Sequence, residues 1–140
     1  MTVSNDATIR RKLRALATAL RHFHSALLEG AKEDYEFLSG PVSSPYELFN
    51  LVTGHPSFQW LRPLSVLMAT LDEVLDTKDL QLSEQHVRDV QQALDVLFSQ
   101  TEPSFAEFRR GYDAAKARSD VQKADARWRE VRDSLASLSA

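Results

Sequence analysis

The 140-residue chain has no cysteine, which excludes a disulfide scaffold, a thiolate metal site and a cysteine nucleophile. Four glycines and five prolines are too few for a loop-rich or low-complexity chain. Neither Gly-x-x-x-x-Gly-Lys nor Gly-x-Gly-x-x-Gly occurs, so no phosphate-cradling loop is encoded. Gly-x-Ser-x-Gly is missing as well, and with it the elbow that exposes a serine nucleophile. No uncharged apolar run approaches the roughly 18 residues of a membrane span. Asp6 and four bases stand where a secretory leader needs an apolar stretch. No segment alternates apolar and β-branched residues with polar ones, so no strand is expected. What remains is an all-α, cytoplasmic protein without membrane association, a single domain over residues 1–140, with 43% apolar residues to build one core.

Charge is distributed unevenly behind a net value of −3. Residues 1–28 carry +4, residues 29–103 carry −9 and residues 104–140 carry +2. The overall acidic excess argues against a dedicated nucleic-acid binder. Arg10, Arg11, Lys12 and Arg14, joined by Arg127, Arg129 and Arg132, would form one positive end if the termini pack together. Weak nucleic-acid binding there is a third-ranked alternative. The plainer reading is a solvated flank with Asp125, Glu130 and Asp133 as partners.

Ile9, Leu13, Leu16, Leu20, Phe23 and Leu27 alternate steps of four and three, which predicts a helix with heptad character over residues 5–39. Ser39-Gly40-Pro41 stops it. Such a helix is about 50 Å long, so its first turns are expected to project or to need a partner. Ser44, Pro45 and Glu47 signal a second, short helix over 45–53. Pro56 opens the next one, and Pro63 predicts a kink or restart near Arg62 before the helix runs to residue 77. Leu82, Ser83 and Val87 form a staple around a serine cap, starting a helix over 84–100. Pro103 opens the last helix. Its apolar seam begins as Phe105, Phe108 and Tyr112, then resumes out of phase through Val121, Trp128, Leu135 and Leu138, as a stutter does. The predicted architecture is an antiparallel helical bundle of four main helices plus one short helix, with the first and last the longest.

Candidate sites follow from these elements. The terminal seams, Ile9, Leu13, Leu16 and Leu20 against Val121, Trp128, Leu135 and Leu138, are the expected interface of a homo-oligomer or another protein partner. The corner at residues 40–64 gathers prolines, aromatics and Arg62. Its His55, Trp60 and Arg62, with Asp72 as a partner for the arginine, form a candidate ligand or anion site. The same residues equally suit a plug for the end of the bundle. His22, Glu29, Glu33 and Glu36 share a helix face and form a weaker metal alternative, whereas His24 points elsewhere. Glu-x-x-His, the ligand pair of carboxylate-bridged bundles, does not occur. No catalytic residue, resident metal or cofactor is expected.

The run HPSFQWLRPLS followed by LMATLDE resembles a segment of an uncharacterised family of small bacterial helical-bundle proteins. That resemblance spans about 20 residues and implies a bacterial cytosolic protein. It carries no activity and no site residues. The resulting expectation is a non-catalytic interaction or scaffold module that self-associates through its terminal helices, with a small-ligand, anion or metal-binding bundle as the alternative.

Overall fold

A computed structural model describes residues 2–135, with side chains from Asp6 onward. The described residues contain seven α-helices and no strand: α1 (Thr2–Ser39), α2 (Pro45–Gly54), α3 (Pro56–Gln59), α4 (Arg62–Asp76), α5 (Glu84–Leu97), α6 (Ala106–Ala115) and α7 (Ser119–Ser134). Pro103–Phe105 forms a 3-10 turn before α6.

The periodicity of α1 becomes the core of the molecule. Ile9, Leu13, Leu16, Leu20, Phe23 and Leu27 are fully buried, and α3, α4, α5, α6 and α7 all pack against this one helix. Trp128 meets Phe23 while Arg118 bonds Glu33, so α7 runs antiparallel to α1. Ser65 beside His24, Asp72 beside Arg21 and the Leu75 carbonyl beside Arg10 give α4 the same sense. α5 runs parallel to α1, with Leu82 near Asp6 at its start and Phe98 against Phe23 at its end.

Caps explain most boundaries. Ser44 Oγ accepts from the Glu47 amide at 3.1 Å, while the Glu47 carboxylate reaches back to the Ser43 amide and hydroxyl. Gly40, with φ +91°, ends α1 in the left-handed region that favours glycine. Leu82 and Val87 are both buried around the start of α5. There the Ser83 amide donates to His86 Nδ1 at 3.0 Å, a histidine doing what glutamate does in the usual box.

The predicted long segments are more divided than the sequence indicates. The restart near Arg62 is present, with Trp60 and Leu61 between α3 and α4. The expected last helix starts with the 3-10 turn and then breaks at Lys116–Arg118. Arg118 is extended, with φ −72° and ψ 138°. Its side chain lies flat over Gly30 of α1, donates to Glu33 at 2.5 Å and reaches Asp120 at 3.2 Å. A straight helix would carry the two phases of the apolar seam to different faces. The break returns Val121, Trp128 and Leu135 to the same core as Phe108.

Aromatic packing fastens α6 and α7 to the centre. Phe98 stacks on Trp128 at 5.2 Å between ring centroids and meets Phe108 and Tyr112 edge-on. Asp125 accepts from the Tyr112 hydroxyl at 2.6 Å, the Trp128 indole at 2.8 Å and Arg129 at 2.9 Å. Burial, followed by this carboxylate, pushes the Tyr112 phenol above its ordinary range. On the other side of α6 the Trp60 indole lies directly on the backbone at Gly111, in the space a Cβ would need.

Gly111→Ala is therefore expected to destabilise the fold. Overpacking costs about 1–3 kcal/mol, more than the roughly 1 kcal/mol that alanine gains over glycine within a helix. Thermal unfolding should move down by a few degrees, with Trp60 emission shifted to the red as the indole leaves the helix. An unchanged or raised midpoint would show that this approach imposes no requirement for glycine.

Candidate functional site

The terminal seams are already occupied within the chain. Ile9, Leu13, Leu16, Leu20, Val121, Trp128 and Leu135 are all buried in its own core; Leu138 lies outside the described residues. These side chains are not on the surface of the folded chain, because α7 lies along α1 rather than projecting from it.

The corner residues come together only in part. His55 caps α3, its Nδ1 accepting from the Ser57 amide at 3.0 Å, and its ring packs edge-on against Tyr35. Trp60 donates from its indole nitrogen to the Ser57 carbonyl and packs on Phe108. Asp72 pairs with Arg21 of α1 at 3.4 Å. Arg62 is exposed and holds no ion pair among the described residues. Of the four expected ligand residues, Trp60 and Arg62 line one groove together, while His55 serves as a cap and Asp72 in an interhelix pair.

The weaker metal alternative disperses. His22 and Glu29 are exposed, Glu33 is held by Arg118, and Glu36 accepts from the Val42 amide at 2.8 Å. No group of three or more histidine and carboxylate side chains among the described residues is arranged to hold a metal ion. No helix of the described residues is long and apolar enough to cross a membrane.

The basic cluster has structural work. Arg10 donates to the Leu75 and Leu80 carbonyls, and Arg14 donates to Leu75 as well. Two guanidinium groups therefore satisfy the carbonyl end of α4, where positive charge is favoured by the helix dipole. Asp6 holds the Leu82 amide in the same loop. Arg127, Arg129 and Arg132 pair with Glu130, Asp125 and Asp95. Arg11 and Lys12 are the members of the cluster without a bond to another described residue.

Two surfaces stand out instead, because the large exposed apolar side chains among the described residues fall on them. Phe37 (89% exposed), Leu38 (83%), Tyr46 (75%) and Phe49 (63%) cluster at the end of α1 and on α2, a helix with no buried residue. Val66 and Val96 flank a groove between α4 and α5. This groove has a volume of about 1160 Å³, with Leu13, Leu71 and Leu97 at its base and Trp60, Phe105 and Phe108 closing one end. Sequence reading singled out the corner at residues 40–64, which holds Tyr46 and Phe49, and named Trp60 and Arg62 of the groove lining, but it delineated neither surface. The apolar spacing of α1 resumes through Tyr35 and Leu38, which reads Leu38 as a covered position, whereas it is 83% exposed; the groove depends on how far α4 and α5 stand apart, which no local pattern records.

In comparisons with known proteins, no family model matches the chain, and neither does any curated protein or solved structure.

His24 is a titratable group that sequence reading set aside. It bonds Ser65 through Nε2 at 2.9 Å, and burial lowers its pKa. The unfolded chain then takes up a proton near pH 6.5, before the folded chain does. Stability is expected to fall as pH drops below about 6.5 and to level off below the lowered folded value. His24→Gln, which keeps a polar partner for Ser65, should flatten this part of the profile in urea unfolding. If the slope is unchanged in that variant, other groups carry it.

Proposed function

We propose that this chain is a non-catalytic interaction module that self-associates, with its contact surface at the apolar tip formed by the end of α1 and α2. The helix directions support reading α1, α4, α5 and α7 as an antiparallel bundle whose terminal helices close its own core. Self-association is then assigned to the tip and not to the terminal seams.

The observation that carries this reading is the exposure of Phe37, Leu38, Tyr46 and Phe49, all within residues 37–49. Exposed apolar surface of this kind is characteristic of a contact site. A symmetric pair would bring identical patches together, which suits an apolar surface.

Charge around the tip adds a distinguishing feature. The charged residues from Glu33 to Phe49 are acidic; Glu33 is neutralised by Arg118, which leaves Asp34, Glu36 and Glu47. Apposing two copies sets like charges against each other, so salt should strengthen association by screening them.

Light scattering behind size exclusion is expected to give a mass near twice 15.8 kDa at high protein concentration. The dimer fraction should rise as NaCl goes from about 0.05 to about 0.5 M. Phe37→Glu combined with Phe49→Glu should give the mass of one chain with helix content unchanged, since both side chains are exposed. A wild-type mass of one chain at about 100 μM, where even a weak interface should be populated, or an undiminished dimer in the double variant, would overturn the assignment.

A further inference from the structure

We infer that the groove between α4 and α5 is a docking site for a basic amphipathic helix of a partner protein. The groove has helical walls. It follows α4 from Arg62 to Val74 and α5 from His86 to Leu97, about 18 Å on the longer side. That length accommodates three turns of a helix lying between the two walls.

A helix is the suitable occupant because of what the walls offer. Most of the lining is apolar, and an extended segment pressed into it would bury amide and carbonyl groups without partners. A helix satisfies those groups internally and presents side chains at i, i+3, i+4 and i+7 to the floor. The volume, about 1160 Å³, lies above the usual range of small-molecule pockets, about 300–1,000 Å³.

Charge selects the partner. Residues 62–107 hold nine acids against three bases, and only Asp72 and Asp95 among those acids are neutralised by arginines of other helices. Asp89 and Glu107 line the groove itself without an ion pair among the described residues. Arg62 is the single arginine or lysine in the lining. A second copy of this chain is a poor occupant. Its basic helix α1 is locked in the core, and its exposed helix α2 has Glu47 as its one charged residue.

The test uses two synthetic 14-residue peptides with leucines at i, i+3, i+4 and i+7, one with lysine at the remaining positions and one with glutamate. Anisotropy of the labelled peptides is read against the full chain. The lysine peptide is expected to bind, more weakly as salt rises, and the glutamate peptide to bind at least about tenfold less. Ala93 is exposed and lines the groove, so Ala93→Trp fills it from the solvent side and should abolish binding. Asp89→Lys with Glu107→Lys should narrow or reverse the preference between peptides, with circular dichroism confirming that both variants fold. Failure of the lysine peptide to bind, equal binding of both peptides, or binding that persists in Ala93→Trp would each overturn the proposal. Loss of a wild-type dimer in Ala93→Trp would do so too, by placing a second copy in the groove. The Phe37→Glu, Phe49→Glu variant should bind the lysine peptide normally, which separates this site from the tip.

Discussion

One helix serves as the inner wall for almost everything else in this protein. The stripe from Ile9 to Leu27 is fully buried, and five later helices lay their apolar faces on it. Burying six large side chains without remainder contributes about 1.5–3 kcal/mol each, before the entropy of ordering the chain is subtracted. The constraint that follows is geometric. A 38-residue helix is longer than the bundle it supports, so some part of it must run past its neighbours. The amino-terminal end is tied down by Asp6, Arg10 and Arg14 to the end of α4 and the loop after it. The carboxy-terminal end therefore overhangs, and Phe37 and Leu38 are left in solvent.

The same demand explains why the last helix is broken where no proline or glycine breaks it. Phe105, Phe108 and Tyr112 follow one phase, and Val121, Trp128 and Leu135 follow another. A continuous helix would have to turn one set away from α1. Lys116–Arg118 resolves the conflict, and Arg118 fixes the new direction by lying on Gly30 and bonding Glu33. The absence of a side chain at Gly30 lets a guanidinium stem lie flat on α1, so an interior helix glycine that costs propensity supports the turn between α6 and α7.

Local signals were legible in the sequence to the extent that they are local. The α1 stripe, the Ser44 cap, the restart at Arg62 and the staple of Leu82 with Val87 all depend on residues within a few positions of one another. The seam shift in the last helix was visible, but its consequence was not, because a stutter and a break have the same spacing and the choice rests on Gly30, far away in the chain. The terminal seams leave their cover open in the sequence for a related reason. An apolar stripe records that something covers it, not whether the cover belongs to the same chain. Of His55, Trp60, Arg62 and Asp72, close in sequence, Trp60 and Arg62 share a groove lining, whereas His55 caps α3 and Asp72 turns toward Arg21.

What the bundle leaves uncovered also follows from its charge. The middle of the chain concentrates acid, yet the arginines of the two terminal helices neutralise only the part they can reach: Asp72 through Arg21 and Asp95 through Arg132. Both contacts lie where α4 and α5 meet the core helices. On the side away from the core nothing performs that service, and Asp89 and Glu107 remain beside an apolar trough. The charged side chains in its lining are Asp89, Glu107 and Arg62, a small acidic excess that suits a cationic helix better than another acidic surface. The desolvation cost of a lysine stem there is small, since its methylenes can lie on the apolar wall while the ammonium stays in water near a carboxylate. The end of α1 and α2 carries Asp34, Glu36 and Glu47, so the two proposed contacts call for different partners and for opposite responses to salt.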